Sequence, residues 1–502
     1  MMNTKRSVTW LTVLSLLFSG FLISCSEDIF ETPIGGRIVP EDHYRSELDA
    51  LLSYAGCFVY LQEIAENQVL VDGLRSDQMN VTDRADKDMI DISMHELSPD
   101  NPYIDPSNYY KLIINVNEVL PNLPQILELD RDFDSLSLYT FEGALVTLRS
   151  WAYFMLAKLN GEVGLISPDI EEFDPSDTPE YLSKEEIIDK LIQELLVYDD
   201  PKDIVRFTVD HYVLLGELYL EKEDYDNAVK YLKFACDGPA YRRVFMVDDA
   251  YQQEAWRDIF LNSTDQFGTV FTAVPYSFVD GQKNTLEEWM HPDYDYMVKP
   301  ATVLIDSFAA QVQQNGDPSD ETRGMGVSID TTNAGSPYIN KYSIDGGIPH
   351  SADIILYRAA DVHMLLAEAL NRTGEHDLAM VLLNDGIASL GGERPSNFVK
   401  WSPNRGVRGR AYLENKVIPP SDTANPMLYI EDLIIQERAM ELAFEGKRWF
   451  DLVRIATRRG EPEYLADKVA SKFEDPATAD AIRNKLLDPV NWYLPLTKIG
   501  TE

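Results

Sequence analysis

The chain has 502 residues, of which 84 are acidic and 44 basic, and its formal net charge is −40 at pH 7. A chain this negative repels phosphate backbones, which argues against nucleic acid as a partner. Hydrophobic residues make up 45% and aromatic residues 11% of the chain, which excludes a disordered acidic chain and predicts a large packed core.

The first 25 residues have the pattern of a lipoprotein signal peptide. Lys5 and Arg6 precede an apolar run over residues 8–21, which is shorter than the roughly 20 apolar residues of a membrane-spanning helix. The run ends in Leu-Ile-Ser-Cys, which resembles a lipobox. We therefore predict a signal peptide over 1–24 and lipidation at Cys25, where acyl chains contribute about 0.8 kcal/mol of anchoring per buried methylene. Ordinary signal cleavage, with Cys25 incidental, is the alternative.

Residues 25–40 are predicted to form a flexible, extended tether. They contain Pro33, Gly35, Gly36 and Pro40, which interrupt regular structure. Helical patterning begins near residue 41 and dominates the rest of the chain.

Two cysteines follow Cys25. Cys57 lies in an apolar run and Cys236 follows Phe234, so we expect two buried free thiols. A disulfide between them, formed in an oxidising compartment, is the alternative.

Residues 207–240 match the 34-residue tetratricopeptide pattern of two packed helices. With Gly216 at position 8 and Ala228 at position 20, small residues fall where the two helices approach each other. A second unit fits with Ala367 at position 8 and Gly374 at its turn. Weaker helix pairs over 108–160 and 430–460 bring the expected number to four.

Two long stretches do not look helical. Residues 72–107 are rich in Asp, Asn and Pro, and residues 238–350 hold β-like runs such as Thr269–Phe278 between turn residues. Loops of this length in a compact protein are usually functional or disordered. The Trp and Tyr side chains that they carry argue against disorder.

The segment IIQERAMELAFEGKRWFDLVR, residues 434–454, reads as two helices separated by Gly446. Glycine adopts the left-handed conformation of a helix stop without strain. Acidic and basic residues alternate from Glu437 to Arg454. Periodicity alone predicts that these charges form a salt-bridged helix surface.

Motifs of catalysis are missing from the sequence, which contains no P-loop, GxGxxG, GxSxG, HExxH or CxxC. Its seven histidines are scattered, and His363 sits in an apolar helix as an expected core residue. We therefore predict no enzyme, no cofactor and no metal site. With 84 acidic residues, some carboxylate pair will lie at glycosidase spacing by chance, so a glycoside hydrolase is a remote alternative.

Aromatic and polar residues crowd the two irregular stretches. The first holds Asn101, Tyr103 and Asp105, with Tyr109 just beyond its end, and the second holds Tyr276, Phe278, Trp289, Tyr294 and Tyr296. A flat ring covers the apolar CH face of a sugar, and nearby polar groups bind its hydroxyls. The alternative is that these rings pin irregular loops to the helical scaffold.

Five segments together resemble the SusD/RagB family of nutrient-binding outer-membrane lipoproteins of Bacteroidetes. They are the segment at 434–454, the helix YRAADVHMLLAEALNR at 357–372, an early helix with a central Asn at 108–120, and the elements at 144–166 and 491–495. This chain departs from the family pattern at Gly164, where the family usually has Pro. The resemblance covers nearly the whole chain.

The resemblance implies a mainly α, SusD-like fold, in which four tetratricopeptide-like helix pairs form a scaffold beside a less regular, loop-rich ligand-binding part. The implied regions are an N-terminal one at 41–237, a ligand-binding one at 238–350 and a C-terminal one at 351–502. It also implies candidate ligand contacts, carried over by segment: Asp77, Arg84, Asn101, Tyr103, Trp289 and Tyr294.

By the same resemblance, the protein would be anchored in the outer membrane and face the cell exterior. The acidic residues that follow Cys25 resemble a surface-export signal. Its function would be to capture an oligosaccharide or polysaccharide and deliver it, without catalysis, to a SusC-like TonB-dependent transporter. A peptide ligand, as in RagB, and a tetratricopeptide-like protein-docking scaffold are the alternatives.

Overall fold

The computed structural model describes residues 43–166, 179–198, 209–237, 253–263, 268–343, 348–386 and 405–496. The predicted signal peptide, Cys25 and the tether lie outside these ranges. The chain is mainly helical, as predicted, and its strands are short. Among the helices within the described ranges, none combines the length and apolar content needed to cross a membrane. The division into three regions stays a prediction.

The described α-helices are α1 (Glu47–Gly56), α2 (Leu61–Arg75), α3 (Lys87–Ser93), α4 (Ser107–Val119), α5 (Ile126–Leu129), α6 (Ser135–Asn160), α7 (Lys184–Leu196), α8 (His211–Glu221), α9 (Tyr225–Asp237), α10 (Gln253–Leu261), α11 (Leu286–Met290), α12 (Thr302–Ala309), α13 (Ala359–Arg372), α14 (His376–Leu383), α15 (Gly406–Arg410), α16 (Met427–Glu441), α17 (Arg448–Arg459), α18 (Pro462–Ala470) and α19 (Pro476–Leu486). Short 3-10 helices cover Pro102–Ile104, Leu120–Gln125, Phe278–Asp280 and Pro489–Trp492.

The described strands are β1 (Met79–Val81), β2 (Glu162–Leu165), β3 (Glu180–Ser183), β4 (Val270–Val274), β5 (Val298–Pro300), β6 (Ile329–Thr331), β7 (Pro337–Ile339) and β8 (Ile354–Arg358). They pair antiparallel in twos: β1 with β5, β2 with β3, β4 with β8, and β6 with β7. Each of these pairs except β2–β3 and β6–β7 joins segments that are far apart in the sequence.

The tetratricopeptide-like spacing correctly predicts the pair α8 and α9. Gly216 faces Leu232 so closely that a Cβ atom on residue 216 would lie 2.5 Å from Leu232 Cγ. Ala228 is fully buried, and the rings of Tyr219 and Tyr231 stack with their centroids 5.4 Å apart. Small residues therefore let the two backbones approach, while the large ones fill the groove beside them.

The other helix pairs are also present. Helices α13 and α14 join at Gly374, whose φ of +90° only glycine adopts easily. Helix α6 is capped by the Asp134 side chain, which accepts from the backbone N–H groups of residues 136 and 137, and it packs on α4. Helices α16 and α17 form the last pair, linked by Arg438 Nε donating to Asp451 Oδ2 at 2.7 Å.

The expectation that residues 72–107 and 238–350 lack helices is wrong in part. The first stretch contains α3, because Asp86 caps its first turn and Met89 and Ile92 are buried. The second contains α10, α11 and α12. These helices are short, so their apolar periodicity is weak against the surrounding turn residues. The expected β-like run is present as β4 within Thr269–Phe278.

The expectation of a salt-bridged surface over 434–454 is correct about the ion pairs and wrong about the surface. Glu437, Glu441 and Glu445 are at most 3% exposed. Buried carboxylates persist when guanidinium groups match them, and distant segments supply those groups. We call the following set the buried ion network: Arg323, Arg358, Arg408, Arg410, Glu437, Glu441 and Glu445.

The remaining core predictions agree with the structure. Cys57 and Cys236 are buried free thiols, as expected, and burial raises the pKa of Cys57 to about 12. His363 is buried in the core, as expected. Its ring Nδ1 lies 3.8 Å from Cys236 Sγ, which ties α13 to α9.

Candidate functional site

The two irregular stretches meet through strands β1 and β5. Met79 pairs with Pro300 and Val81 with Val298. Beyond the strands, the Thr82 backbone N–H donates to Met297 O at 2.8 Å. The residues after β1 and those before β5 consequently lie side by side.

Tyr103 and Trp289 form the contact between the two stretches. Their ring centroids are 5.6 Å apart at an interplanar angle of 89°, which is an edge-to-face arrangement. The Tyr103 hydroxyl donates to Asp86 Oδ2 at 2.6 Å. Burial raises the pKa of Tyr103, and the Asp86 carboxylate raises it further, so the phenol stays protonated. Both rings are half-buried and fixed in orientation.

Tyr294 belongs to a continuous row of rings. Its centroid lies 4.9 Å from that of His350 and 5.9 Å from that of His291. His350 in turn contacts Phe278 at 5.5 Å, and His291 contacts Tyr338 at 4.8 Å. Tyr294 is 36% exposed and Phe278 is 45% exposed, so the row presents ring surface to solvent.

Arg84 lies beside this row and is exposed. Its Nη1 donates to Tyr294 O at 3.2 Å, and its guanidinium carbon is 6.0 Å from the Tyr296 ring centroid. The Tyr296 hydroxyl donates to Pro337 O at 2.6 Å, which connects β5 to the β6–β7 hairpin. Arg84 thus places a positive group with several donors next to flat rings.

Asp77 and Asn101 have structural partners. Arg448 donates to both carboxylate oxygens of Asp77 at 2.7 Å. Burial by itself raises the pKa of Asp77, but the attraction of Arg448 outweighs burial and holds that pKa below its ordinary value. Asn101 is 2% exposed; it caps the 3-10 helix at Tyr103 N and donates to Asp88 O. Asn101 therefore positions the loop that carries Tyr103, and Asp77 connects the end of α2 to the start of α17.

We call the following set the aromatic surface: Arg84, Tyr103, Phe278, Trp289, His291, Tyr294, Tyr296, Tyr338 and His350. Four of the six residues carried over from the family resemblance belong to it. His291, Tyr338 and His350 were not singled out from the sequence, because no local spacing marks them. They join the surface through the β6–β7 hairpin and through ring contacts that form only in the folded chain.

The buried ion network is connected to the segment that follows the β6–β7 hairpin. Lys341, which follows β7, pairs with Glu445 at 2.6 Å, and the Tyr342 hydroxyl donates to Phe444 O at 2.8 Å. Arg358, at the end of β8, pairs with Glu445 at 2.8 Å. These bonds tie the hairpin segment to the C-terminal helices.

The chemistry available at the aromatic surface is that of binding. Flat, partly exposed rings lie beside one guanidinium and several backbone polar groups. Within the described ranges, no three His, Cys, Asp or Glu side chains come together as a metal site would require. Such a surface stacks on apolar ring faces and orients hydroxyl groups by hydrogen bonds.

Residues 271–498 match the family model described as SusD family. This part of the chain is of the SusD family. The match contains the segments 357–372 and 434–454 on which the resemblance rested, and it includes the part of the aromatic surface that begins at Phe278.

Relatives that are similar to this chain cover nearly its whole length. SusD-like protein P38 of Formosa agariphila is 24% identical over 492 residues, covering 89% of this chain and 91% of its own. A solved SusD superfamily protein from Bacteroides vulgatus superposes with a TM-score of 0.68 at 16% identity, covering 90% of this chain and 95% of its own. A laminarin-binding SusD-like protein superposes with a TM-score of 0.60 at 18% identity, covering 90% and 96%.

Proposed function

We propose that this protein is a cell-surface lipoprotein that captures an oligosaccharide or polysaccharide at the aromatic surface. The observation that carries the proposal is the row of rings from Phe278 to Tyr338, in which Phe278 and Tyr294 are exposed and Arg84 lies beside Tyr294. A solved protein of the same fold is described as laminarin-binding, which supports a glycan over other ligands.

The charge of the chain narrows the ligand class. A net charge of −40 disfavours long polyanionic glycans. Arg84 is a positive group at the aromatic surface, and it suits a hydroxyl-rich ligand as well as an isolated acidic substituent. We therefore expect a neutral or mixed oligosaccharide.

Affinity electrophoresis tests this proposal. The protein from Ser26 onward is run through native gels that contain one polysaccharide each. We expect one polymer to retard the wild type, and Trp289→Ala and Tyr294→Ala each to weaken that retardation. Phe234→Ala is the matched control, because Phe234 is 41% exposed on the remote helix α9. Unchanged retardation in both site variants would overturn the assignment of the site.

Delivery to a SusC-like TonB-dependent transporter and anchoring through Cys25 belong to the same proposal. We expect the full chain to co-purify with a TonB-dependent transporter from outer membranes. Cys25→Ala should release the protein from the membrane and leave glycan binding by the purified protein intact. Recovery of the full chain without any transporter would count against delivery.

The absence of catalysis is likewise proposed. Purified protein incubated with the polymer that retards it should release no reducing sugar. If reducing sugar is released and Trp289→Ala releases it equally, a contaminating hydrolase is the source. Release that is lost in that variant would revive the glycoside hydrolase alternative.

A further inference from the structure

A cavity lies away from the aromatic surface and shares no residue with it. Its volume is about 740 Å³, within the roughly 300–1,000 Å³ that is typical of small-ligand pockets. It opens between the start of α10, the turn that follows α12 and the segment around α15. Its described lining residues are Gln253, Glu254, Gln313, Glu321, Thr322, Arg405 and Tyr412.

The walls of this cavity are held by backbone bonds. Gln313 and Leu413 form an isolated antiparallel β-bridge. On either side of it, Gln314 N donates to Tyr412 O at 2.9 Å, and Glu414 N donates to Val312 O at 2.8 Å. The hydroxyl of Thr322 donates to Ala411 O at 3.1 Å. Residues 411–414 are therefore clamped against residues 312–322.

The segments on both sides of this clamp are anchored in the buried ion network. Arg408 pairs with Glu437 and Arg410 with Glu441, and all four side chains are at most 1% exposed. Thr322 directly precedes Arg323 of the same network. The two segments that carry the lining residues Thr322 and Tyr412 are thus held by buried ion pairs.

Tyr412 occupies the cavity in a strained conformation. Its φ is +57°, a region that bulky residues rarely adopt, and its side chain is 42% exposed. Strain of this kind persists when the surroundings impose it, and it occurs often at ligand clamps. Here the bonds on both sides of residue 412 impose it and leave the ring facing the cavity and solvent.

The rim around Tyr412 is rich in acceptors. Gln253 Nε2 donates to Glu321 O at 2.8 Å and Gln313 Nε2 donates to Ser319 O at 3.3 Å, which leaves their side-chain carbonyls for other donors. The carboxylates of Glu254 and Glu321 accept no hydrogen bond from the part of the chain that the structure describes. An aromatic platform surrounded by acceptors suits a ligand with many hydroxyl donors and an apolar face.

We propose that this cavity is a second sugar-binding site, in which a neutral oligosaccharide segment stacks on Tyr412. Its hydroxyl groups donate hydrogen bonds to the carboxylates of Glu254 and Glu321 and to the side-chain carbonyls of Gln253 and Gln313. The two carboxylates exclude acidic sugars, since they outnumber Arg405 in charge. The inference rests on the proposed function in so far as the same glycan occupies both sites. Two sites on one chain raise the apparent affinity for a polymer without any new contact.

The test uses affinity gels of laminarin, pullulan, xyloglucan and galactomannan with the chain from Ser26 onward. The variants are Tyr412→Ala, the aromatic-surface variant Trp289→Ala/Tyr294→Ala, and the triple variant. We expect each of the first two to weaken retardation by the same polymer about five- to tenfold, and the triple variant to migrate as in a gel without polymer.

Three further variants make the result specific. Tyr412→Phe should keep retardation, because it keeps the ring. Tyr412→Asn should lose it and yet unfold at the same or a higher temperature, because Asn tolerates a positive φ. Phe234→Ala, a ring of similar exposure on α9, should bind like the wild type.

Wild-type retardation in Tyr412→Ala and Tyr412→Asn would overturn the second site and leave the proposed function standing. Complete loss of retardation in the variant Trp289→Ala/Tyr294→Ala, with Tyr412 intact, would likewise overturn the second site and leave the proposed function standing. If none of the four polymers retards the wild type, the second site for neutral sugars fails together with the neutral ligand class.

Discussion

Glu441 shows how single residues hold this protein together. It accepts from Arg358 at 2.6 Å and also from Arg323 and Arg410, and it is fully buried. Burial alone would raise the pKa of Glu441, but the three guanidinium groups outweigh burial and depress it strongly. The charges stabilise the fold only as a complete set, because each guanidinium that loses its partner keeps its desolvation cost.

Glu441→Gln should therefore destabilise the protein by about 3–5 kcal/mol, because it leaves three buried guanidinium groups without their shared anion. Guanidinium chloride denaturation measures this loss. Glu463→Gln is the control, since Glu463 is exposed, and it should change stability by less than about 0.5 kcal/mol. Equal midpoints for the two variants would show that the network contributes little.

His363 predicts a dependence of stability on pH. Burial, with Arg410 nearby, lowers its pKa from 6.5 to about 4 against the opposing effects of Ala359 O and Asp237. Between these two values the unfolded chain binds a proton that the folded chain does not. Stability should thus fall as the pH drops from about 6.5 to about 4, by about 3 kcal/mol from this residue.

The check on this prediction is the difference between two stability curves. The free energy of unfolding of wild type and His363→Leu is measured from pH 7 to pH 4. The variant should lose less stability on acidification, because one proton-binding difference is gone. Parallel curves would mean that His363 does not titrate in this range.

At the scale of elements, the close approach of α8 and α9 depends on Gly216. A methyl group there would lie 2.5 Å from Leu232 Cγ and 3.1 Å from Leu232 N. Gly216→Ala should consequently cost about 1–3 kcal/mol through overpacking, although alanine favours helix. Gly56→Ala is the matched control, because nothing lies within 4 Å of a Cβ at the end of α1. Thermal unfolding of the two variants measures the difference, and a stabilised Gly216→Ala would contradict the close packing.

The helix pairs could be predicted from sequence, and the burial of their charges could not. Spacing reports which helical positions are small or apolar, and Gly216 and Ala228 occupy positions that only close packing explains. Periodicity treats Glu437 and Glu441 as outward-facing, because the sequence around them contains no sign of Arg323 or Arg358 across the fold. Arg323 lies 114 residues from Glu437, and Arg358 lies 83 residues from Glu441.

The candidate site shows the same limit. Aromatic crowding marked both loops, and Tyr103, Trp289 and Tyr294 lie where those loops meet. His291, Tyr338 and His350 join through contacts between elements, which no local pattern encodes. Asp77 was carried over as a ligand contact, but Arg448, which is 371 residues away, engages its carboxylate.

At the scale of the whole molecule, the charge predicts how binding responds to salt. A neutral glycan carries no charge, so its binding includes no charge–charge attraction that salt could screen. Raising sodium chloride from 0.05 to 0.5 M should therefore change the dissociation constant less than about twofold. Titration of the retarding glycan at both salt concentrations measures this. A steep fall in affinity with salt would instead indicate an acidic ligand held by groups such as Arg84.

The most direct test of the account is the affinity of Tyr294→Ala for an oligosaccharide fragment of the retarding polymer, measured by isothermal titration calorimetry. The loss of one stacked ring, worth about 0.5–1.5 kcal/mol, should weaken binding about two- to twelvefold. Phe234→Ala should bind like the wild type, because the Phe234 ring has a similar exposure but lies on α9, outside the aromatic surface. If Tyr294→Ala also binds like the wild type while its fold is intact, the aromatic surface is not where this protein holds its ligand.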